Sequence, residues 1–378
     1  MSITQTKCIF VLCMLQIYGR LHSDVFIYCC MQGKTKKIYF YLILTLFVLG
    51  LICGLVGVYF IYFPNTTAGS SAEGHVIYIP SKASYEDIKK ILEEQKILKN
   101  SFTFDKVAKL MKYDKNFKPG KYHIEKNCSN RELIRYLRAG IQDPVNITIN
   151  SYRYMDSIVN LVGRKLEADT ARLRELLMKD DFLTNYGFKK EDIMSMFLAD
   201  TYKFMWNTDA TQFLDRMNSE YKKFWNQERT GLATSMGRSP LEIISLASIV
   251  QEETMKNDEM PTVAGVYHNR LLKGMKLQAD PTIKFALGRW DLRRISYDDL
   301  RVESPYNTYL YEGLPPGPIC IPSKLAIEAC LKPKSHNYIY FCARDDRSGY
   351  HHFTTTYEDH LLYAKQYRES LDERNIHN

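Results

Sequence analysis

Residues 239–287 read SPLEIISLASIVQEETMKNDEMPTVAGVYHNRLLKGMKLQADPTIKFAL. The stretch opens with helix-start chemistry. Ser239 can cap, Pro240 suits the first helical position, where its missing N–H costs nothing, and Glu242 completes a capping box. Leu241, Ile243, Ile244, Leu246, Ala247, Ile249 and Val250 make the run apolar on every side, so a buried helix is expected. Gln251, Glu252 and Glu253 follow at its end. At about 100° per residue, Ile243, Leu246, Ile249 and Val250 fill one arc, and Glu253 falls inside it. Glu252 falls well outside that arc, and Gln251 lies beyond its other edge. A carboxyl group on an apolar face is desolvated; its pKa rises and it stays protonated nearer neutral pH, as a general acid requires. The same spacing also fits a glutamate solvated at a helix end, which is the commoner arrangement.

Polar groups cluster on both sides of the next helix. VAGVYHNRLLKGM carries Asn269 and Arg270 after its apolar face. LQADPTIKFAL places Gln278, Asp280 and Thr282 in a turn that opens another helix, a geometry that aims side chains and backbone N–H groups into a cleft. SPYNTYLYEGLPPGPICIPS supplies Tyr306, Asn307, Thr308 and Tyr309 before a loop stiffened by Pro and Gly. Aromatic rings and amides of this kind suit sugar faces, hydroxyls and acetamido groups; a plain connecting loop is the alternative.

IISLASIVQEET, VAGVYHNRLLKGMKLQADPT and SPYNTYLYEGLPPGPICIP, in that order, resemble the bacterial endolytic murein transglycosylase (YceG-like) family over about residues 76–373. The resemblance implies that Glu253 is the catalytic acid, since it matches the second Glu of the family's Glu-x-Glu-Thr-like string; Gln251 departs from the first. It implies substrate contacts from Asn269, Gln278, Asp280, Thr282, Tyr306, Asn307, Thr308, Tyr309 and His351. MFLADTYKF (196–204) matches a Pro-Asp-Thr-Tyr motif, with Ala199 in place of the proline. The implied reaction cuts the MurNAc–GlcNAc bond of peptidoglycan without water. One glutamate protonates the leaving oxygen, then accepts the proton of the muramyl 6-hydroxyl as a 1,6-anhydro ring closes. Two alternatives remain open. A peptidoglycan hydrolase would need a second carboxylate, for which Asp200 and Asp280 are the motif-borne candidates. A wall-binding scaffold would need no chemistry at all.

Upstream, Lys34, Lys36 and Lys37 precede the uncharged run 38–63, IYFYLILTLFVLGLICGLVGVYFIYF, which is long enough to span a bilayer. Tyr39 and Tyr41 mark one interface, and Tyr59 and Tyr62 the other. Lysines before the run and none after it until Lys82 place the N-terminus in the cytoplasm and the remainder outside the inner membrane. Cys8 to Tyr18 is too short to span, and translation is expected to begin at Met31. Residues 1–37 therefore read as a cytoplasmic N-terminus, with 1–30 an extension of the reading frame. Residues 64–75 read as a small-residue linker.

Residues 76–144 read as strand, helix, helix, strand, helix, with helices starting at Ser84 and near Phe102 and one ending at Gly140. This order resembles a LysM-like subdomain, implying N-acetylglucosamine binding; a packing and orienting subdomain fits equally well. Residues 145–373 read as the catalytic domain: a strand at 145–154, helix over 157–185, and a helix from about Asp209 to Gln227 whose Phe224-Trp225 pair belongs to the core. The last elements are a strand, a turn at Gly349, a second strand and a helix. The fold class is α+β.

The chain carries 51 Lys and Arg against 43 Asp and Glu, a net charge of +8. That excess suits an anionic partner, but no basic run accompanies a nucleic-acid motif, so nucleic acid is excluded as a partner. Cys128, Cys320, Cys330 and Cys342 follow the apolar run without zinc-ligand spacing, and burial as small apolar residues is expected. His351, His352 and His360 lack a completing ligand set, so neither metal nor cofactor is expected. Peptidoglycan synthases and the elongation or division machinery enter only as partners the resemblance implies.

Overall fold

The computed structural model describes residues 34–67 and 74–372. The expected start at Met31 lies outside the described residues. The described chain divides after Ile141 into two compact units.

In the first unit, helix α1 (Lys34–Tyr62) contains the 26-residue stretch Lys37–Tyr62, of mean hydropathy 2.6. It is long and apolar enough to cross a bilayer, and large side chains such as Leu42, Leu46 and Leu55 are exposed along it. After it come β1 (His75–Ile79), α2 (Tyr85–Glu94), α3 (Ser101–Leu110), β2 (Gly120–Ile124) and α4 (Asn130–Ala139). This is the expected order. β1 and β2 pair antiparallel, with Ile77 opposite Tyr122 and Ile79 opposite Gly120. Reciprocal capping boxes, Ser84 with Asp87 and Ser129 with Glu132, start α2 and α4. Gly140 ends α4 at φ 71°, a left-handed conformation that glycine adopts without penalty. Ile77, Ile79, Ile88, Phe104, Tyr113, Tyr122, Ile134 and Leu137 form the core.

Residues 64–67, within the expected linker, are pinned to this core. Pro64 bridges to Ser129 and Thr66 to Leu98. Asn65 is buried, and its Nδ2 donates to the Asn100 carbonyl (2.9 Å) and to Asn130 Oδ1 (2.7 Å). Asn130 Nδ2 in turn donates to the Phe60 carbonyl (2.8 Å) and to Thr103 Oγ1 (3.2 Å). Phe60 and Ile61, in the last turn of α1, pack against the same core. A buried amide pair therefore welds the end of α1 to the strand–helix module, because a buried amide must find partners and these lie on both elements.

The second unit has two cores. β3 (Val145–Ile149) pairs antiparallel with β4 (Asp200–Phe204). They pack with α5 (Met155–Lys165), α6 (Thr170–Met178), α7 (Asp180–Tyr186) and α8 (Ala210–Phe224). The helical segment expected at 157–185 is thus three helices. Asp169 caps Ala171 and Arg172 and starts a new helix, and Thr170 packs so tightly on Gly163 that a Cβ there would clash at 2.2 Å. The second core surrounds α10 (Pro240–Glu253), whose residues Ile243 to Val250 are all buried. α9 (Gln227–Ser235), α11 (Met260–Leu272), α12 (Asp280–Leu287) and α13 (Lys324–Leu331) pack around it. β5 (Tyr340–Ala343) and β6 (His351–Thr354) form an antiparallel hairpin, followed by α14 (Tyr357–Asp372). Phe224 and Trp225 are buried. Cys320 and Cys330 are buried and free; Cys128 and Cys342 are half-buried and free.

The amide weld yields a stability test. Asn130→Ala strips the Phe60 carbonyl and the Asn65 amide of a buried partner, and should cost about 1–3 kcal/mol. Thermal unfolding of the full chain in detergent should show the loss; an unchanged melting temperature would show that the cluster contributes nothing.

Candidate functional site

α10 ends at Glu253, and Thr254 is the C-cap, with its N–H on the Val250 carbonyl. Because every side chain from Ile243 to Val250 is buried, this helix cannot rotate, and the direction of Glu253 is fixed by the core. Glu253 sits against α11. Tyr267, buried on that helix, donates from Oη to Glu253 Oε1 at 2.6 Å. Desolvation pushes the Glu253 pKa from 4.5 up to about 7. The Tyr267 hydrogen bond opposes that rise, the charge of Asp280 adds to it, and Lys284 and Arg270 oppose it. Glu253 nevertheless keeps a partial opening to solvent, so the proton is reachable.

Arg270 lies near enough to influence Glu253, yet its donors are taken elsewhere. Nε donates to the Ile339 carbonyl (2.6 Å), and Nη1 donates to the Leu277 carbonyl (2.8 Å), the Lys276 carbonyl (3.2 Å) and Gln278 Oε1 (3.3 Å). Gln278 itself holds φ 50°, a left-handed backbone that a long side chain rarely adopts. Asp280, the first residue of α12, accepts from Tyr309 Oη at 2.6 Å. Burial and the Asp280 charge push the Tyr309 hydroxyl far above its ordinary pKa.

The neighbours of Glu253 in sequence face other elements. Glu252 is gripped at both oxygens by Arg153 (3.0 and 2.7 Å), whose guanidinium lies 4.1 Å from the Trp290 ring centroid. Gln251 Oε1 accepts from the backbone of Ser323 at 3.0 Å, the N-cap of α13. Asp200 pairs with Lys324, which holds its carboxyl below the usual range. It lines a separate cavity of about 350 Å³ with Tyr202, Lys223, Arg229 and Glu328. Of the two carboxylates that sequence offered as a second catalytic group, Asp280 is the one whose charge acts on Glu253.

The remaining residues expected at the site have mostly internal partners. Asn269 donates to the His336 (2.8 Å) and Tyr338 (2.9 Å) carbonyls. Asn307 is fully buried and donates to the carbonyls of Leu300 (2.9 Å) and Val302 (2.8 Å). Thr308 and Thr282 share a 2.9 Å hydrogen bond; Thr308 also accepts from the Ala279 N–H at 3.0 Å, zipping the Tyr309 loop to the start of α12. Tyr306 packs its ring on Phe285 at 4.6 Å. His351 Nδ1 lies 2.7 Å from Glu259 Oε2, and its N–H donates to Glu259 Oε1 at 2.8 Å. Glu259 also accepts from Thr254 Oγ1 at 3.0 Å, so the residue after Glu253 is tied to β6. His352 stacks on Tyr363 at 4.1 Å and His360 on Tyr340 at 5.3 Å.

Sequence reading passed over Tyr267, Arg153 and Glu259. Tyr267 had a usable signal: it lies on the same face of α11 as Val263 and Arg270, where a hydroxyl needs a buried partner. The Arg153–Glu252 pair, far apart in sequence, had none.

The chain belongs to the YceG-like family, whose model matches residues 77–366. An endolytic murein transglycosylase of Bacillus subtilis is 28% identical over 316 residues, covering 79% of this chain and 86% of the relative. One from Streptococcus pneumoniae is 26% identical over 312 residues, covering 75% of this chain; that match spans only 56% of the pneumococcal protein. A crystal structure of a yceG-like protein from Listeria monocytogenes superposes with a TM-score of 0.52 at 28% identity, covering 77% of this chain and 99% of the other.

The burial of Glu253 links stability to pH. Its folded pKa of about 7 lies above the ordinary 4.5, so the stability its neutral form contributes is fully present below about 4.5. That stability is lost as pH rises to about 7. Glu253→Gln has no proton to lose. The variant should gain on the parent in melting temperature between pH 5 and pH 8; a constant difference across that range would contradict the burial.

Proposed function

We propose that this protein is a membrane-anchored endolytic lytic transglycosylase that cleaves MurNAc–GlcNAc bonds within nascent peptidoglycan strands and leaves 1,6-anhydromuramyl ends. The carrying observation is the Glu253 carboxyl, half-titrated near neutral pH and held by Tyr267 at 2.6 Å. A group with pKa near the working pH can give a proton to the leaving oxygen and then take one from the muramyl 6-hydroxyl. Because the sugar's own hydroxyl closes on C1, atoms balance without water: the glycosidic bond breaks, the anhydro bond forms, and the proton passes through Glu253. Tyr267 fixes the carboxyl in one orientation through both transfers.

Substrate contact is assigned to Asp280 with Tyr309 and Gln278; Tyr306 and His351, bonded to the Glu191 carbonyl and to Glu259, brace the site. Asn269, Thr282, Asn307 and Thr308 act by shaping the loops that carry them, since their polar groups already have internal partners. The strand–helix module of the first unit is assigned a LysM-like glycan-holding role, supported by its element order. The lysines ahead of the apolar helix support an N-terminus in the cytoplasm and the second unit outside, where nascent strands lie. Peptidoglycan synthases are the partners such a reaction would serve, with cleavage ending strand elongation. The proximity of Asp280 keeps a hydrolytic reading in play, in which it assists an attacking water.

Digestion of purified glycan strands separates these readings. Wild-type products should end in 1,6-anhydro sugars, about 18 Da lighter than hydrolysed ends because no water is added; reducing ends would assign the chemistry to the Glu253–Asp280 pair acting on water. Glu253→Gln should lower the rate by about 10²–10⁴-fold. Tyr267→Phe removes a hydrogen bond that lowers the Glu253 pKa. The alkaline fall in activity, set near pH 7 by loss of the acid, should therefore move to higher pH while the maximal rate drops. An unmoved profile would remove Tyr267 from the site.

A further inference from the structure

We infer that the strand–helix module of the first unit lies against the bilayer surface, with Phe102 seated at the interface and Lys106 and Arg131 on acidic lipid headgroups. The inference rests on the reading of α1 as a membrane span. It begins at the end of that helix, where no free tether intervenes. Phe60 and Ile61 pack against the module's core, and the Phe60 carbonyl is held by Asn130 at 2.8 Å. Once α1 is in a bilayer, the module's height above the hydrocarbon is therefore set by contacts.

Those contacts place three side chains. The Phe102 ring lies edge-on to Phe60 at 6.5 Å, and Phe60 is inside the apolar run. Phe102 therefore sits at the depth of the last turn of α1, although it is 61% exposed. A large aromatic with that exposure is costly in water and favoured at a membrane interface. Lys106, one turn along α3, holds its Nζ 5.2 Å from the Phe102 ring centroid. Arg131 lies 5.4 Å from the ring of Tyr62, the last residue of α1. Both cations thus stand where the apolar run ends, at headgroup depth.

The nearby acids are engaged. Asp105 accepts from Lys109 (2.9 Å) and from Tyr85 Oη (3.1 Å). Glu132 is held by the backbone and hydroxyl of Ser129 (2.9 and 2.8 Å). Among the described residues, neither Lys106 nor Arg131 forms a salt bridge; Lys106 lies on the Phe102 ring and Arg131 on the Tyr62 ring, with the charge of Arg131 also felt by Glu132. A cation with no salt bridge, beside an aromatic at the end of a span, matches an anionic headgroup in charge and in depth. Each basic residue at an acidic surface is worth about fivefold in attraction.

The test uses the full chain in vesicles, with single tryptophans added at Phe102 or at Val56 within α1. Emission above that of the parent, whose Trp206, Trp225 and Trp290 all follow Ile141, reports the added site. In vesicles with acidic lipid, Phe102→Trp should be quenched by lipids brominated near the headgroup and shielded from aqueous iodide; Val56→Trp should be quenched by bromolipid. Lys106→Glu with Arg131→Glu should lower the quenching at position 102 in acidic vesicles and leave zwitterionic vesicles little changed. Quenching at Val56 but iodide access at Phe102 would overturn the inference while leaving the span intact. No bromolipid quenching at either site would overturn the span itself. Charge reversal without effect in acidic vesicles would remove the headgroup contact.

Discussion

A carboxyl group walled into an apolar face has two stable arrangements: it binds a cation and stays ionised, or it stays neutral. Glu253 is kept close to the second. Arg270 is near enough to pull its pKa down, but the guanidinium is occupied by backbone carbonyls on both sides, at Lys276, Leu277 and Ile339. Had that fork closed on Glu253, the acid would be locked as a carboxylate. The single short contact it does have comes from a hydroxyl, which orients without neutralising a charge. The arrangement of α10, α11 and the 276–282 turn follows from keeping a strong cation close and busy.

This accounts for the dense polar work in the surrounding loops. A left-handed Gln278, the Thr282–Thr308 bond and the fully buried Asn307 hold Asp280 and Tyr309 within electrostatic reach of Glu253. Loops that carry function need such internal bonding, because a wandering carboxylate at position 280 would alter the electrostatics that set the acid.

Much of the helical frame was legible in the sequence. Capping boxes at Ser84, Ser129, Asp209 and Ser239 are local chemistry, readable within a few residues. Helical period put Glu253 on the apolar arc but fitted a solvated helix end equally, and it was the resemblance of the surrounding motifs that favoured the inward aim. Tertiary contacts explain what was missed. The break at Leu166–Asp169 depends on Thr170 meeting Gly163, and the Arg153–Glu252 grip joins segments that no periodicity connects. The polar residues of the two loop motifs had the right composition for sugar contact. Only coordinates reveal that Asn269, Asn307 and Thr308 have their hydrogen bonds filled from within.

The weave of α11 with the chain's end also sets an order of assembly. Glu253 is synthesised well before the segments that shape its surroundings. Asn269 finds its carbonyl partners at His336 and Tyr338, Arg270 Nε finds its partner at Ile339, and Phe341 packs edge-on against Tyr267 at 5.7 Å. Until that stretch is in place, Asn269 lacks both carbonyls, Arg270 is held on the 276–277 side alone, and Tyr267 lacks its packing ring. The surroundings of Glu253 are therefore completed only where the β5–β6 hairpin and the residues before it pack over α11.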